Sequence, residues 1–316
     1  VFPDVVSKEL LHLVTGVIEM HQTVSTKFLP SAVKFHYNFN MRELVNVFQG
    51  LVSMHPETYT KPSQVVRLWY HECSRVFGDR LTTTTELFRF TKMLIDCAKK
   101  NFEENSNEQT LQLPITFTSF VEQTNDGEPA YVECGSLSIL RRNVQQHLNE
   151  YNDSNPVMNL ILFDQALAHV CRICRILRQP RGNALLVGVG GSGKQSLCRL
   201  ASFICGIAVV TLSVTADYGI NDLKEHLKSL YHKAGVRPGI PVVLMLTDSV
   251  IVDEKFLVFV NDLLSSGYIP NLFTQEEYDG IFAALRNEAK AAGVAETRDN
   301  MMTFFLSRVR ANLHIV

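Results

Sequence analysis

The sequence is notable first for three things that it has little of. No apolar run approaches the roughly 18 residues that a membrane-spanning helix requires, and the opening segment, VFPDVVSKEL, lacks the pattern of a signal peptide. Neither sign of charge dominates, because 30 basic side chains are interspersed with 32 acidic ones. This balance argues against the basic surface of a nucleic-acid-binding or membrane-surface protein. We therefore expect an intracellular protein that binds neither nucleic acid nor membrane.

Cysteine is scattered and odd in number, which is typical of reduced thiols in the cytosol. Cys171 and Cys174 form the one pair at metal or redox spacing, and they lie inside a helical pattern with no second pair to complete a zinc site. Core packing is therefore favoured over metal binding for this pair. The seven cysteines are Cys73, Cys97, Cys134, Cys171, Cys174, Cys198 and Cys205.

An initiating Met is also absent, and the chain ends in an apolar run at Leu313–Val316 that resembles the start of a strand. From this we expect a piece of a longer chain. The 316 residues are 46% hydrophobic and 20% charged, which is ordinary for a soluble globular protein and enough for two domains.

The most informative stretch runs from Asn183 to Leu200. An apolar run at Ala184–Val187 leads into a glycine-rich loop, and a helical pattern follows. Strand, glycine loop and helix in this order form the context of a phosphate-binding loop. In such a loop backbone N–H groups turn inward, Lys194 reaches the terminal phosphates, and the helix directs its positive end at the anion. The loop residues are Gly188, Val189, Gly190, Gly191, Ser192, Gly193 and Lys194. The alternative is a glycine-rich turn in an ordinary α/β protein, which the flanking patterns disfavour.

One position departs from the usual phosphate-loop pattern. Gln195 stands where a hydroxyl residue normally ligates magnesium, and Ser196 follows one residue later. Because a helix turns about 100° per residue, Ser196 does not replace the missing group. Gln195 can offer an amide oxygen, so we expect weaker metal binding with phosphate binding kept.

A second half of the site is expected after the apolar strand 241–246. Asp248 stands at the tip of this strand, where the magnesium-directing acid belongs; the alternative is an Asp that only begins a turn. Ser249 occupies the place of the Glu that usually orients the attacking water, and a lost general base costs about 10² to 10⁴ in rate. Asp253 and Glu254 are expected to cap the next helix instead. The sequence thus predicts a site that binds nucleotide and hydrolyses it slowly or not at all.

The pattern along the chain indicates three parts. Residues 1–103 carry helical periodicity throughout, and residues 104–156 form a connector with one short strand and a helix. Residues 157–316 alternate strands and helices, beginning with a helix at Met158, which predicts a parallel sheet covered on both faces. Its strands are expected at 184–187, at 207–212 as a strand buried on both faces, and at 241–246.

Several long strings resemble one family. VGVGGSGKQSLCRLASFICG (187–206) and TDSVIVDEKFLVFVNDLLSSGYIPNLF (247–273) are similar to the fourth AAA+ module of an axonemal dynein heavy chain. KFHYNFNMRELVNVFQGL (34–51) and LWYHECSRVFGDRL (68–81) resemble the small subdomain that ends the third module. The implied fold is an α/β P-loop NTPase (AAA+) large subdomain with an incomplete parallel sheet, preceded by an all-α small-subdomain bundle.

The resemblance also implies a function. The family is a microtubule motor whose six AAA+ modules form a ring, with a regulatory fourth module that binds ATP or ADP with Mg²⁺. Arg42 matches the sensor-2 arginine, which reaches toward the third module's nucleotide, and Leu160, Ile161 and Phe163 match the segment that brackets the adenine. The family's sheet order is 5-1-4-3-2, of which this chain is expected to hold strands 1 to 3 and the start of strand 4.

The implied partners are the remaining modules of the same heavy chain, microtubules through regions outside this chain, and dynein intermediate and light chains. The implied location is the cytoskeleton, in the axoneme of a cilium or flagellum. Two alternatives stay open. One is an autonomous P-loop ATPase or small-molecule kinase, and the other is a structural scaffold with an empty site.

Overall fold

The computed structural model describes residues 2–107, 109–214, 218–236, 238–251 and 253–316. It divides into two compact units, Val1–Asn143 and Val144–Val316. The division into parts at residues 103 and 156 stays a prediction. Within the described ranges, no helix is both long and apolar enough to span a membrane.

The first unit is built on four helices, which form within residues 1–103, where the sequence predicts helical periodicity. Its centre is Trp69, which is fully buried and contacts Phe102 edge to face, with ring centroids 5.2 Å apart. Gly16 allows this packing, because a Cβ there would lie 3.2 Å from the indole nitrogen. The helices are α1 (Asp4–Lys27), α2 (Met41–Leu51), α3 (Pro62–Phe77) and α4 (Thr84–Phe102).

A β-hairpin completes this unit. Strands β1 (Phe117–Gln123) and β2 (Pro129–Glu133) pair in antiparallel fashion, and Phe117 and Tyr131 lie in the same core as the four helices. The hairpin lies within residues 104–156, where one short strand was expected, and residues 1–103 form the predicted helical bundle. The apolar residues of the hairpin are buried against side chains more than 40 positions away, and local periodicity does not register such contacts. Helix α5 (Leu137–Ser154) follows, and the Ser136 Oγ accepts the Ile139 N–H at the start of this helix over 3.3 Å.

The second unit is an α/β layer structure with a three-stranded parallel sheet of order β3-β4-β5. The central strand β4 is buried along its whole length, as its apolar sequence predicts. The elements are α6 (Asp164–Leu177), α7 (Lys194–Ile204), β3 (Ala208–Thr211), α8 (Ile220–Gly235), β4 (Val242–Met245), α9 (Lys255–Ser265), α10 (Gln275–Ala291), α11 (Arg298–Asn312) and β5 (Leu313–Ile315).

Three local expectations for this unit were wrong. β3 is not buried on both faces, since it is an edge strand of the sheet and Ala208 and Thr211 are exposed. The helix expected from Met158 begins at Asp164, because the Asn152 side chain pairs with both the N–H and the carbonyl of Met158 and holds it outside the helix. The third concerns the chain that enters the glycine loop.

The run Ala184–Val187 does not form the predicted strand. The Ala184 N–H donates to the Ile315 carbonyl over 2.9 Å, so the segment reaches the free edge of β5. Beyond that bond Leu185 and Val187 are 89% and 86% exposed, and among the described residues no strand pairs with them. The apolar run at the end of the chain, expected as the start of strand 4 of the family's sheet, does form a strand. This strand is β5, and it pairs with β4. An apolar run becomes a strand only where a neighbouring backbone pairs with it.

Candidate functional site

The glycine loop adopts the backbone conformation that its sequence predicts. Gly191 and Gly193 have φ of +76° and +79°, the left-handed region in which a side chain is strained. Gly193 is the cap of α7, and its carbonyl accepts the Leu197 N–H over 2.9 Å. Gly188 to Ser192 are exposed. The N-terminus of α7, with its unsatisfied N–H groups, therefore opens onto an accessible loop.

Lys194 is the first residue of α7, and its ammonium folds into the loop. Its Nζ donates to the carbonyls of Gly188 and Val189 over 2.7 and 2.9 Å, and lies 3.4 Å from the Ser192 hydroxyl. The predicted phosphate-binding lysine and the loop glycines are thus brought together. An ammonium held among neutral carbonyls can exchange these bonds for stronger ones to phosphate oxygens.

The two residues after Lys194 differ in environment. Gln195 is exposed, whereas Ser196 is half-buried. This difference is what a rotation of about 100° per residue predicts for adjacent positions of a helix. Gln195 is therefore the accessible one of the two, and its place at the metal stays a prediction.

Asp248 and Ser249 leave the sheet directly after β4. Both are exposed and lie in the single 3-10 turn Asp248–Val250, and the Ser249 hydroxyl lies 2.8 Å from that of Thr247. The Leu246 N–H donates to the Val316 carbonyl, just as Ala184 pairs with Ile315. Asp248 therefore follows β4, and the glycine loop follows the segment that pairs with the end of β5, so both leave the sheet at its carboxyl edge, where parallel α/β sheets bind ligands.

The segment expected to bracket the adenine lies immediately before α6. Ile161 is 84% and Phe163 55% exposed, Leu160 is half-buried, and Leu162 is buried. The accessible apolar side chains suit a contact with a flat aromatic base, and their roles stay predictions.

Arg42 belongs to the first unit. It is the second residue of α2, its side chain is exposed, and its N–H donates to the Asn40 side chain over 2.9 Å. The predicted sensor role likewise stays a prediction.

Two residues that the sequence reasoning missed hold the chain where it enters the loop. The Asn183 Oδ1 accepts the Ile315 N–H over 2.7 Å, and the buried His314 donates from Nδ1 to the Gly182 carbonyl over 2.8 Å. Burial lowers the pKa of His314 below 6.5, so its ring is neutral at pH 7. The sequence gives a weak indication of the role of Asn183, because this residue stands directly before the apolar run. It gives no indication of the role of His314.

A protein-only metal site is not found in the part of the chain that the structure describes, because no three His, Cys, Asp or Glu side chains cluster suitably. A divalent cation here would depend on ligand phosphates together with Asp248 and Gln195. That is the usual manner in which Mg²⁺ binds, since it keeps waters and takes one or two protein ligands.

Comparison with known proteins agrees with this geometry. The family model described as P-loop containing dynein motor region D4 matches residues 158–316, and one described as an AAA+ lid domain matches residues 13–112. The dynein beta chain of the flagellar outer arm of Chlamydomonas reinhardtii is 48% identical over 98% of this chain. Dynein axonemal heavy chain 11 of Sus scrofa is 43% identical over 96% of it.

The human dynein axonemal heavy chain 9 is 41% identical over 99% of the chain. The chain spans 7% of the length of each of these relatives. With the parallel sheet, the glycine loop and a family model over residues 158–316, the chain belongs to the P-loop dynein motor region D4 family of AAA+ proteins, found in dynein heavy chains.

Proposed function

We propose that the second unit binds ATP or ADP at a regulatory site of an axonemal dynein heavy chain and hydrolyses it slowly or not at all. The observation that carries this proposal is the Lys194 ammonium inside the glycine loop, 2.7 Å from the Gly188 carbonyl. A phosphate group that enters the loop meets a preplaced cation, the N–H groups of the first turn of α7, and glycines without side chains.

Magnesium would be held by Asp248, Gln195 and the phosphates themselves. When bound it neutralises charge between the β- and γ-phosphates. Both protein groups offer oxygen, which this hard cation prefers, and both are exposed. The Gln195 side chain is longer than the usual Ser or Thr and loses more rotamer freedom when it is fixed at the metal, so the metal is expected to be held weakly.

Hydrolysis is expected to be impaired at Ser249. Its hydroxyl lies 2.8 Å from that of Thr247, and a serine does not accept a proton usefully at neutral pH. Such a site holds its nucleotide for long periods. At a concentration 100 times the dissociation constant, bound nucleotide contributes about 2.7 kcal/mol to the stability of the binding conformation. This suffices to bias a conformational equilibrium in a larger assembly.

For the whole heavy chain we propose a microtubule motor ring of AAA+ modules in the axoneme of a cilium or flagellum. The proposal rests on relatives named as flagellar outer arm and axonemal chains. Within it, Arg42 contributes to the nucleotide site of the preceding module, and intermediate and light chains bind other regions. Matches over 96% and more of this chain favour this function over an autonomous ATPase or kinase.

Photolabelling of the intact heavy chain tests the proposal. The chain is labelled with 8-azido-ATP carrying phosphorus-32 at the α or the γ position, digested, and the peptides of residues 158–200 are isolated. We expect α-label on these peptides and its loss in Lys194→Ala, because the charge-assisted bonds to phosphate contribute about 1.5–3 kcal/mol each. The γ-label should be retained almost as well as the α-label.

Lys290→Ala is the matched control, since Lys290 is an exposed lysine near the end of α10. It should label like the wild type. Absence of α-label from these peptides in the wild type, at saturating probe, supports the empty scaffold instead. Rapid loss of γ-label from them contradicts impaired hydrolysis and leaves binding intact.

A further inference from the structure

The interface between α6 and α7 brings two cysteines together that lie 31 residues apart in the sequence. The Cys205 Sγ lies 3.8 Å from the carbonyl oxygen of Cys174, and the Cys174 Sγ lies 3.6 Å from the carbonyl oxygen of Ala201. Each sulfur therefore faces the helix that carries the other one.

The two thiols differ in accessibility. All seven cysteines are described, and six of them are buried while Cys205, the residue after the end of α7, is partly exposed. Cys174 is 1% exposed. An oxidant dissolved in water can thus approach Cys205. The buried Cys174 then reacts with the oxidised form of Cys205 and not with the oxidant itself.

The charges around the pair favour a thiolate at Cys205. A hydrogen bond from the Cys174 thiol lowers the pKa of Cys205, and the Arg178 guanidinium, next to the end of α6, lowers it further, against the opposing effect of burial. Burial raises the pKa of Cys174, and it does the same for Cys198 within α7. The thiolate is the nucleophilic form of cysteine. Reactivity is therefore concentrated on the one accessible member of the pair.

We propose that Cys205 and Cys174 form an oxidant-sensitive modification site that closes to a disulfide between α6 and α7 on exposure to hydrogen peroxide. The Cys205 thiolate attacks a peroxide oxygen, the O–O bond breaks, and hydroxide leaves, which converts Cys205 to a sulfenic acid. The Cys174 sulfur then attacks the Cys205 sulfur; the S–S bond forms, the S–O bond breaks, and the thiol proton leaves with the hydroxyl as water. The two thiols lose two electrons, and one peroxide is reduced to two waters.

This pairing ties the glycine-loop helix to its neighbour. α7 begins at Lys194 and Cys205 follows its last residue, so the bond joins the far end of the helix to α6. Cys171 lies one turn before Cys174 on α6, yet the residue whose carbonyl lies beside the Cys205 sulfur is Cys174. The proposed redox pair is therefore not the local Cys171-x-x-Cys174 motif.

Thiol mapping in the intact heavy chain tests the proposal. The native protein is treated with hydrogen peroxide, quenched with N-ethylmaleimide, digested without reductant, and analysed by mass spectrometry. We expect a peptide pair joined at Cys174 and Cys205 that dithiothreitol separates. In Cys174→Ala, dimedone should trap a sulfenic acid at Cys205. In the untreated protein, N-ethylmaleimide should modify Cys205 about tenfold faster than Cys198 at pH 7.

Cys198→Ala is the matched control, because it removes a thiol from the same helix without touching the pair, and it should leave the disulfide yield unchanged. Cys205→Ala should leave Cys174 unoxidised at the same peroxide dose. A disulfide from Cys205 to Cys171 overturns the proposal. So does a Cys205 that reacts no faster than Cys198, a result that can be obtained from the wild type without any variant.

Discussion

The Lys194 ammonium and the Gly188 carbonyl oxygen lie 2.7 Å apart, so the glycine loop closes on its own lysine. Gly188 fits closely beneath this contact, since a Cβ there would lie 3.2 Å from the Ser192 hydroxyl and 3.8 Å from the Lys194 Cδ. The loop is therefore assembled from its own residues, and a phosphate competes with two backbone carbonyls for one ammonium.

Nucleotide binding should protect the loop amides from hydrogen exchange. Residues 188–192 are exposed, and a bound phosphate would accept from their N–H groups. With ADP at 100 times its dissociation constant, exchange over peptides covering 188–193 should slow by up to about 100-fold. Hydrogen–deuterium exchange with mass spectrometry measures this in the intact chain. Peptides from α10 serve as the internal reference, and equal exchange of the loop with and without ADP would argue against phosphate binding there.

Gly193→Ala should destabilise the loop, while Gly280→Ala should stabilise α10. Neither added Cβ would meet another atom within 4 Å, so the difference lies in the backbone. Gly193 has φ of +79°, where an alanine costs about 1–2 kcal/mol. Gly280 lies inside a helix, where alanine gains about 0.4–1 kcal/mol. The free energy of local opening from native-state hydrogen exchange should move in opposite directions for the two variants.

Restoring two side chains should restore turnover at this site. Ser249→Glu supplies a carboxylate base, and Gln195→Thr supplies a hydroxyl for magnesium. Since a missing general base costs about 10² to 10⁴ in rate, we expect the double variant to lose γ-label from the 158–200 peptides at least about 10²-fold faster. Ser249→Ala, which removes the same hydroxyl without adding a base, should behave like the wild type. An unchanged rate in the double variant would count against the roles assigned to both positions.

Stability should fall below pH 6.5 in part because of His314. Burial lowers its pKa in the folded state, so the unfolded chain takes up a proton near pH 6.5 that the folded one resists. Its contribution is thus fully present above pH 6.5 and is lost as the pH falls toward the folded pKa. His314→Asn should reduce the acid slope of the free energy of unfolding by up to about 1.4 kcal/mol per pH unit.

Thermal unfolding midpoints measured between about pH 5 and 8 provide the check for His314, since a lost proton uptake changes their pH dependence. His169→Asn is the control, because His169 is exposed on α6. Parallel pH profiles of the wild type and His314→Asn would show that the ring is not protected from protonation in the folded state.

Patterns confined to one element were predictable from the sequence. The helices α1 to α4 form within residues 1–103, where helical periodicity is found, and β4 forms within the apolar run 241–246. The glycine loop followed by α7 could also be predicted, because left-handed glycines and a helix start are local features. The same holds for Asp248, which was placed after a strand from hydrophobicity alone.

Features that depend on distant partners could not be predicted in this way. The Asn183 and His314 bonds join residues 132 positions apart, and Cys205 finds Cys174 rather than forming part of a local motif. The run at 184–187 has the composition of a strand, but Leu185 and Val187 are exposed.

The sequence by itself determined the periodicity of the helices, the position of the central strand and the left-handed turns of the loop, since each depends on side chains a few residues apart. Tertiary structure alone decided that β3 lies at an edge, that Phe117 and Tyr131 join the helical core, and that Cys205 lies beside Cys174. Strand pairing, burial and thiol contact are properties of two segments at once, and neither segment encodes its partner.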